Sequence, residues 1–387
     1  MRILTFTSLY PNASMPHRGV FVENRLRHLI SDTDVKSHVV APIPWFPFSK
    51  SLNHEYQKFS KVQFQEERHG ISITHPRYLH LPKIGMTLQP FSMAIAAYPV
   101  LKKIILNGYD FDLIDAHYFY PDGVAAILLS IWLDKPIVIT ARGTDLNLVP
   151  QYLIPRKLIK YAANKANALI TVCQAIKDVL LELQIPDEKI TVLRNGVDLK
   201  MFSPPLDRMA LRNNIGLKDI TILSVGYLIE RKGHHLIIKA LKHVPRVNLL
   251  IIGDGIEREN LMALVKQESL EGRITFLGNV PHEKLGDYYG AVDILVLASS
   301  REGWANVLLE SMACGTPVVA TRVWGTPEII SCTEAGILVE RTPESIAQGI
   351  NKLLERYPDR ELTRLYAEQF RWDEISLGQR KIFDKVV

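Results

Sequence analysis

The sequence predicts an α/β protein built on two doubly wound parallel sheets. Short apolar segments of β type alternate with amphipathic helical segments along the chain, and many of the apolar segments are continuous. Continuous apolar segments are typical of parallel strands that are buried on both faces. The alternation breaks at residues 195–214, where an Asn-Gly pair and the Pro204-Pro205 pair interrupt it. Such a cluster of turn-forming residues marks a boundary, so we predict two βαβ arrays.

The predicted elements follow one another in the same rhythm in both halves. Strands are predicted at residues 3–7, 38–41, 113–116, 137–140, 169–172 and 190–193, and then at 220–225, 247–252, 274–277, 294–298, 318–321 and 337–339. Helical patterns lie between them at residues 123–133, 156–167, 175–183, 234–243, 257–268 and 307–313.

This order predicts two Rossmann-like domains, at residues 1–195 and 196–370. Open α/β sheets bind ligands beyond the carboxyl ends of their strands, so we expect the two domains to face each other across a ligand cleft. The polar segment at about 371–387 is predicted to be a helix that packs back on the first domain.

The composition is that of an ordinary globular protein. Hydrophobic residues make up 47% and charged residues 22% of the 387 residues, which argues against disorder and coiled coil. Three cysteines, none in a C-x-x-C pair, argue against a disulfide scaffold and a Cys-rich zinc site and favour the reducing cytoplasm. The uncharged segment 84–101 contains three helix-breaking residues. We expect it to form a buried or interfacial helix rather than a membrane span.

Positive charge is concentrated in the first half. Residues 1–195 contain 22 Lys and Arg against 16 Asp and Glu, a net charge of +6, whereas the remainder has a net charge of −1. This excess suits an anionic partner such as the inner face of the plasma membrane, although chance and solubility explain it equally well. A nucleic acid is not expected, because no basic run interleaved with aromatic residues is present.

The most informative segment is residues 299–321, SSREGWANVLLESMACGTPVVAT. Glu302 follows a predicted buried strand, and Glu310 lies on the helix that we expect residues 304–307 to open. A helix N-terminus offers free N–H groups to an anion or to sugar hydroxyls, and a carboxylate such as Glu310 can bind a vicinal diol such as ribose. The alternative is that Glu302 only caps the helix and Glu310 faces solvent.

A second segment, residues 224–233, places Arg231 and Lys232 after another strand. Two such cations suit a diphosphate, although an isolated Arg-Lys pair is more often merely solvated.

Three features of the first half point to the same cleft. Gly19 precedes a helix and would let its N-terminus approach a phosphate; His117 ends a strand; Arg142 follows the next strand along the chain. A lone histidine is often structural, and that alternative stays open for His117. No spacing typical of a fixed metal site, no G-x-S-x-G and no Walker A motif is present.

Taken together, these segments resemble the retaining glycosyltransferases of family 4. The most specific part is REGWANVLLESMACGTPVVAT, followed by GTPEII and GILVE. The segments RNGVD, VGYLIERKG, IIGDG and ITFLGNV occur in the order of the family, so the resemblance covers nearly the whole chain. The segments PHRGVFVENRLRHL and DAHYFYPDG resemble the subset that builds bacterial exopolysaccharide or teichuronic-acid-type chains.

The resemblance implies the GT-B fold and a hexosyltransferase activity. The donor would be a nucleotide-diphosphate sugar, with a UDP-sugar favoured, and the acceptor a glycan or a lipid-linked glycan in cell-surface polysaccharide synthesis. The anomeric configuration would be retained. Neither a metal nor another cofactor is implied.

The resemblance also assigns roles in the second half of the chain. By position in the motif, Glu302 contacts the hydroxyls of the donor sugar, Glu310 binds the ribose, and Lys232 binds the diphosphate. The residues whose amides hold the sugar and phosphate are Gly303, Trp304, Ala305, Asn306 and Val307. Leu277, in the segment 276–278, lies near the base.

In the first half, the resemblance places His117 close to the donor sugar and Gly19 at the phosphates. The sequence departs from the family pattern at two positions. Tyr227 stands where many members have a diphosphate-binding Arg, and we expect Arg231 to supply the missing charge. Arg142, assigned to the donor, stands where relatives often have His.

Two other functions stay open. A nucleotide-sugar 2-epimerase shares the fold and needs no acceptor, and a non-catalytic nucleotide- or carbohydrate-binding protein would keep the cleft. A nicotinamide oxidoreductase is disfavoured, because residues 7–12 lack the G-x-G-x-x-G that should follow the first strand.

Overall fold

The computed structural model describes residues 1–46, 54–80 and 85–387. Contacts divide the chain into two units: Met1–Arg194 with Trp372–Val387, and Asn195–Arg371. Each unit is built on its own, largely parallel sheet flanked by helices. The predicted α/β class with two doubly wound sheets is thereby confirmed. That residues 1–195 and 196–370 fold as separate domains stays a prediction.

The described part of the first unit contains ten strands. They are β1 (Arg2–Phe6), β2 (Lys36–Val40), β3 (Ile43–Trp45), β4 (Gln65–Arg68), β5 (Ile71–Thr74), β6 (Arg77–Leu79), β7 (Leu113–His117), β8 (Ile137–Ala141), β9 (Ala168–Thr171) and β10 (Ile190–Val192). Eight of these described strands form one sheet in the order β10-β9-β8-β7-β1-β2-β5-β4. All pairs in it are parallel except β4 with β5. Strands β3 and β6 form a separate parallel pair.

Helices cover the main sheet of the first unit. They are α1 (Val20–Asp32), α2 (His54–Ser60), α3 (Gly85–Leu106), α4 (Val124–Leu133), α5 (Thr144–Asn147), α6 (Leu153–Lys165), α7 (Gln174–Glu182) and, from the C-terminus, α16 (Trp372–Asp384). Helix α16 packs against α1, and its Phe383 joins Leu26 and Leu29 of α1 in one apolar core with strand residues such as Val138. The last helix therefore completes the core of the first unit.

The second unit is described throughout. Its strands are β11 (Thr221–Val225), β12 (Asn248–Ile252), β13 (Ile274–Gly278), β14 (Ile294–Leu297), β15 (Val318–Thr321) and β16 (Gly336–Val339). Its helices are α8 (Arg208–Ile215), α9 (His234–Ala240), α10 (Arg258–Gln267), α11 (Leu285–Ala291), α12 (Asn306–Ala313), α13 (Thr326–Ile329), α14 (Pro343–Glu355) and α15 (Arg360–Ala367).

The six strands of this fully described unit are all parallel, in the order β13-β12-β11-β14-β15-β16. The order reverses between β11 and β14. In open α/β sheets this reversal leaves a crevice at the carboxyl ends of the two strands, where ligands bind. The equivalent reversal in the first unit lies between β1 and β7.

The predicted strands correspond to observed ones, with ends that differ by two residues or fewer. The sequence does not predict β3, β4, β5 and β6, which have only three or four residues each. Strand β4 (QEER) lies at the edge of its sheet and alternates exposed with half-buried positions. A polar edge strand of this kind carries no apolar signal.

The uncharged segment 84–101 forms most of helix α3, which buries Met93, Ala97 and Leu101. Lys83 and Ile84 lie outside the described residues. None of the helices described here is long and apolar enough to cross a membrane.

We predict that Phe383→Ala destabilises the first unit by about 3–5 kcal/mol, because a fully buried aromatic side chain leaves a cavity in its core. Urea denaturation followed by tryptophan fluorescence measures the change. The matched control is Leu377→Ala on the same helix, where the side chain is 51% exposed and the expected change is within about 0.5 kcal/mol. Equal effects of the two substitutions would contradict the docking of α16 into this core.

Candidate functional site

The loop after β11 is pressed against the end of β14. Gly233, which precedes α9, has a φ of +73°, and a Cβ atom there would collide with the carbonyl oxygen of Ala298. The backbone N–H of Ser300 also donates to the carbonyl of Arg231, 2.8 Å away. Arg231 and Lys232 are thereby fixed beside the loop that follows β14, at the point where the strand order reverses.

Glu302 is the centre of a charged cluster at this point. Its Oε1 accepts hydrogen bonds from Nζ of Lys232 at 2.7 Å and from the hydroxyl of Ser299 at 2.6 Å. Arg231 lies 3.7 Å from the same oxygen and donates to the carbonyl of Arg301 at 2.9 Å. Burial alone would raise the pKa of Glu302, yet Lys232 and Arg231 outweigh it and lower the pKa below the ordinary value. The carboxylate is therefore ionised and paired although only 8% of the residue is exposed.

Glu310 projects from the second turn of α12 and is held by two residues that the sequence did not single out. Its Oε1 lies 3.0 Å from Nε2 of His282, and its Oε2 accepts a hydrogen bond from the hydroxyl of Tyr289 at 2.9 Å. Burial alone would lower the pKa of His282, but the bond to Glu310 reverses this and raises it. Glu310 is buried and bonded rather than a solvated surface residue. Each of its oxygens has a second lone pair available for a ligand.

Helix α12 begins at Asn306, so Trp304 and Ala305 precede it as buried residues rather than open it as predicted. The side chain of Asn306 accepts a hydrogen bond from Asn195 at 3.2 Å, and Trp304 packs near Phe370. Helix α12 begins three residues after Gly303, and Val307 lies in its first turn.

Two further predicted residues lie along this edge. Tyr227 is 55% exposed in the loop after β11. Leu277 is half-buried at the end of β13, two strands away from β11.

The corresponding edge of the first unit holds Gly19. Its φ is +72°, and a Cβ atom would collide with the carbonyl oxygen of Leu9. The loop before it is tied down by Asp122, which accepts hydrogen bonds from the backbone N–H and the hydroxyl of Ser8. Burial raises the pKa of Asp122 to about 7, against the opposing effect of these bonds.

His117 and Arg142 are in direct contact. Nη2 of Arg142 lies 2.7 Å from Nδ1 of His117, and Nε2 of His117 lies 3.0 Å from Asp115. Burial is the main cause that lowers the pKa of His117. Burial likewise lowers the pKa of Arg142 to about 9. Asp145 accepts the backbone N–H groups of Arg142 and Gly143, so it shapes the loop that carries Arg142.

The structure brings Arg231 and Lys232 to Glu302 in the second unit and His117 to Arg142 in the first. Glu310, Tyr227 and Leu277 lie elsewhere in the second unit, and Gly19 lies elsewhere in the first.

Asp115 could have been recognised in the sequence, because it is two residues before His117 and alternate strand residues share a face. Ser299 lies three residues before Glu302, in the segment 299–321. The sequence does not predict that His282 and Tyr289 contact Glu310, because both precede it by more than 20 residues and lie on other elements. Among the described residues, no cluster of His, Cys, Asp and Glu suits a metal ion.

Two family models match the chain. The model for glycosyl transferases group 1 covers residues 208–370, and the model for glycosyltransferase family 4 covers residues 56–201. The first match lies within the second unit, and the second match lies mostly in the first unit and extends seven residues into the second.

Curated relatives align over most of the chain. The putative teichuronic acid biosynthesis glycosyltransferase TuaC of Bacillus subtilis is 28% identical over 91% of this chain and 89% of its own length. An uncharacterised glycosyltransferase of Methanocaldococcus jannaschii is 30% identical over 83% of this chain and 84% of its own length. A diphospho-undecaprenol 4-alpha-N-acetylgalactosaminyltransferase of Campylobacter jejuni is 33% identical over 60% of this chain and 61% of its own length.

A solved structure has the same fold. The HepE protein of Anabaena, determined in complex with UDP, superposes with a TM-score of 0.75 and 21% identity over the full length of both chains. The family predicted from the sequence is confirmed by these matches, and so is its fold. The chain belongs to glycosyltransferase family 4 and is a glycosyltransferase with the GT-B fold.

Proposed function

We propose that this glycosyltransferase transfers a hexose from a UDP-sugar to a glycan or lipid-linked acceptor in cell-surface polysaccharide synthesis, with retention at the anomeric carbon and without a metal ion. The observation that carries the proposal is the Lys232–Glu302 pair at the strand-order reversal of the second unit. The choice of UDP as the nucleotide is supported by the UDP complex of the HepE protein. The acceptor class is supported by the names of the Bacillus and Campylobacter relatives.

Lys232 and Arg231 are assigned to the diphosphate of the donor. Sugar transfer from a nucleotide diphosphate leaves negative charge on the departing phosphate and positive charge on the sugar. Fixed cations stabilise the first of these charges as it develops, which is usually the largest catalytic effect. Two cations held by Glu302 and by the carbonyl of Arg301 supply the role that a metal ion has in other transferases.

The carboxylates are assigned to the hydroxyls of the donor. Glu302 binds the sugar, together with the amides of residues 303–307, and Glu310 binds the ribose. His282 and Tyr289 orient Glu310, each by bonding to a different carboxylate oxygen. Leu277 is assigned to the base, and Tyr227 to the donor. In the first unit, Gly19, His117 and Arg142 keep the donor-side roles that the family pattern implies.

We also propose that the first unit binds an anionic membrane surface. Helices α3, α4 and α6 pack against one another and contain no Asp or Glu. Their cations are Lys102, Lys103, Arg156, Lys157, Lys160 and Lys165. Their exposed apolar side chains include Leu88, Ile95, Ile131, Trp132, Leu153, Ile154 and Tyr161. Cations beside exposed apolar and aromatic side chains suit the headgroup region of anionic lipids.

A shallow cavity supports the same assignment. It has a volume of about 420 Å³ and is lined by Leu153, Arg156, Lys157 and Lys160 with residues 182–184. Its three cations come from one helix, α6, on which they follow the exposed Leu153 and Ile154. A lipid-linked acceptor would be presented at such a surface.

The donor proposal predicts a selective thermal shift. UDP should raise the melting temperature in EDTA, whereas GDP, ADP and NAD should not, because the site is expected to read the base and to need no metal. A ligand present at 100 times its Kd adds about 2.7 kcal/mol of stability. Differential scanning fluorimetry measures this shift.

The matched variants for that measurement are Glu310→Gln, which should reduce the UDP shift, and Glu344→Gln on the exposed surface of α14, which should not. A shift with NAD alone, or none with any diphosphate, would contradict the donor site. Conversion of UDP-N-acetylglucosamine without an acceptor, detected by proton NMR, would identify a 2-epimerase instead.

The membrane proposal predicts salt-sensitive sedimentation with vesicles. Binding to vesicles of phosphatidylglycerol should be strong at low salt and weak above 0.1 M, where charges are screened beyond about 10 Å. Arg156→Ala with Lys157→Ala should lower the binding by about 2 kcal/mol together. The control pair, Lys239→Ala with Lys266→Ala, removes exposed cations from the second unit. Equal losses from both pairs, or equal binding to neutral phosphatidylcholine, would refute a specific surface.

A further inference from the structure

A buried series of hydrogen bonds links His117 to the C-terminal helix. Oδ2 of Asp115 lies 3.0 Å from Nε2 of His117 and also accepts a hydrogen bond from Nε2 of Gln379 on α16, at 3.2 Å. Oε1 of Gln379 accepts a hydrogen bond from Nε of Arg25 on α1, at 2.7 Å. None of these four residues is more than 2% exposed.

Each bond in this series can run in only one direction. Arg142 has no acceptor atom, so its Nη2 must donate to Nδ1 of His117. The ring proton of His117 therefore lies on Nε2 and is donated to Asp115. A protonated His117 would carry hydrogens on both nitrogens and could no longer accept from Arg142. The His117–Arg142 contact thus exists only while His117 is neutral.

Gln379 is oriented by the same rule. The Nε–H of Arg25 must meet the amide oxygen, which directs the amide N–H toward Asp115. Arg25 is itself fixed by donating to the carbonyl of Leu193 at 3.1 Å. The amide of Gln379 therefore shares the carboxylate oxygen to which His117 donates.

The charges around His117 favour its neutral form on balance. Asp115 lies on its own strand, Arg142 and Asp145 lie on the segment after β8, and Arg25 lies on α1. Burial lowers the pKa of His117; Asp115 opposes this effect, and Arg142 and Arg25 reinforce it. A donor that shares Asp115 weakens the opposing effect of that carboxylate.

We propose that Gln379 is a positioning residue for the His117–Arg142 pair: its hydrogen bond to Asp115 keeps His117 neutral and so keeps Arg142 bound to it. The inference rests on the proposed function, in which this pair serves the donor side of the reaction. By this role of Gln379, helix α16 contributes to the candidate site of the first unit as well as to its core.

The test compares three variants. Gln379→Leu removes the amide at similar volume, and Asp115 then attracts the ring proton of His117 more strongly. Gln379→Glu keeps an acceptor for Arg25 and places a second carboxylate beside Asp115, so it serves if the leucine variant folds poorly. Ser376→Ala is the matched control, because Ser376 is also buried on α16 but bonds to Asp32, 2.8 Å away.

The first readout is the titration of His117 by NMR on protein with labelled histidine, assigned by the signal lost in His117→Gln. We expect the titration to move to higher pH in both Gln379 variants and to stay unchanged in Ser376→Ala. The second readout is UDP release from UDP-glucose. Turnover at neutral pH should fall about tenfold, the loss seen when the hydrogen-bond partner of a metal-ligating histidine is removed, and its acid limb should move to higher pH. The Kd of UDP should not change.

An unchanged titration of His117 in Gln379→Leu would overturn the inference, and so would a displaced titration with unchanged turnover. Failure of the proposed function is a separate result, seen as a wild-type protein that neither binds UDP nor releases it from UDP-glucose. In that case the titration alone still decides whether Gln379 keeps His117 neutral.

Discussion

The ion pair between Lys232 and Glu302 is the interaction on which the site of the second unit depends. A carboxylate buried to this degree is stable only when a cation and hydrogen-bond donors compensate it, and Lys232, Ser299 and Arg231 do so. Their positions follow from the sheet, because β11 and β14 are neighbours and their loops emerge side by side. The close approach at Gly233 leaves these loops little freedom. In the proposed function, a diphosphate competes with Glu302 for Lys232.

The first unit also contains buried charged side chains, and there a neutral His117 keeps the charges balanced. Arg25, Arg142, Asp115 and Asp145 are all buried, and their charges balance only if His117 carries none. Helix α16, which follows the second unit in the chain, contributes Gln379 to this balance and Phe383 to the core below it. The same helix therefore stabilises the first unit and sets the protonation of a candidate site residue.

The sequence predicts those parts of the structure that depend on local patterns. Apolar runs locate the buried strands, and His117, Glu302 and Lys232 stand out because each lies at the end of such a run or in the loop after it. Partners from distant segments are not predictable in this way. Tyr289 reaches Glu310 through the packing of α11 on α12, and His282 reaches it from the turn before α11. Gln379 reaches Asp115 from 264 residues away. The predicted helical pattern 307–313 begins within one residue of α12, but Trp304 and Ala305, which were expected to open the helix, are buried residues that precede it.

The most direct test of the account is the Kd of UDP, measured by isothermal titration calorimetry in EDTA for variants of the two ends of the ion pair. Lys232→Met should weaken UDP binding on the order of 100-fold, because it removes the charged donor that is assigned to the diphosphate. Glu302→Gln should leave UDP binding unchanged or tighten it, because the competing carboxylate is gone. Equal weakening by both substitutions, or no effect of Lys232→Met, would contradict the assignment of this site.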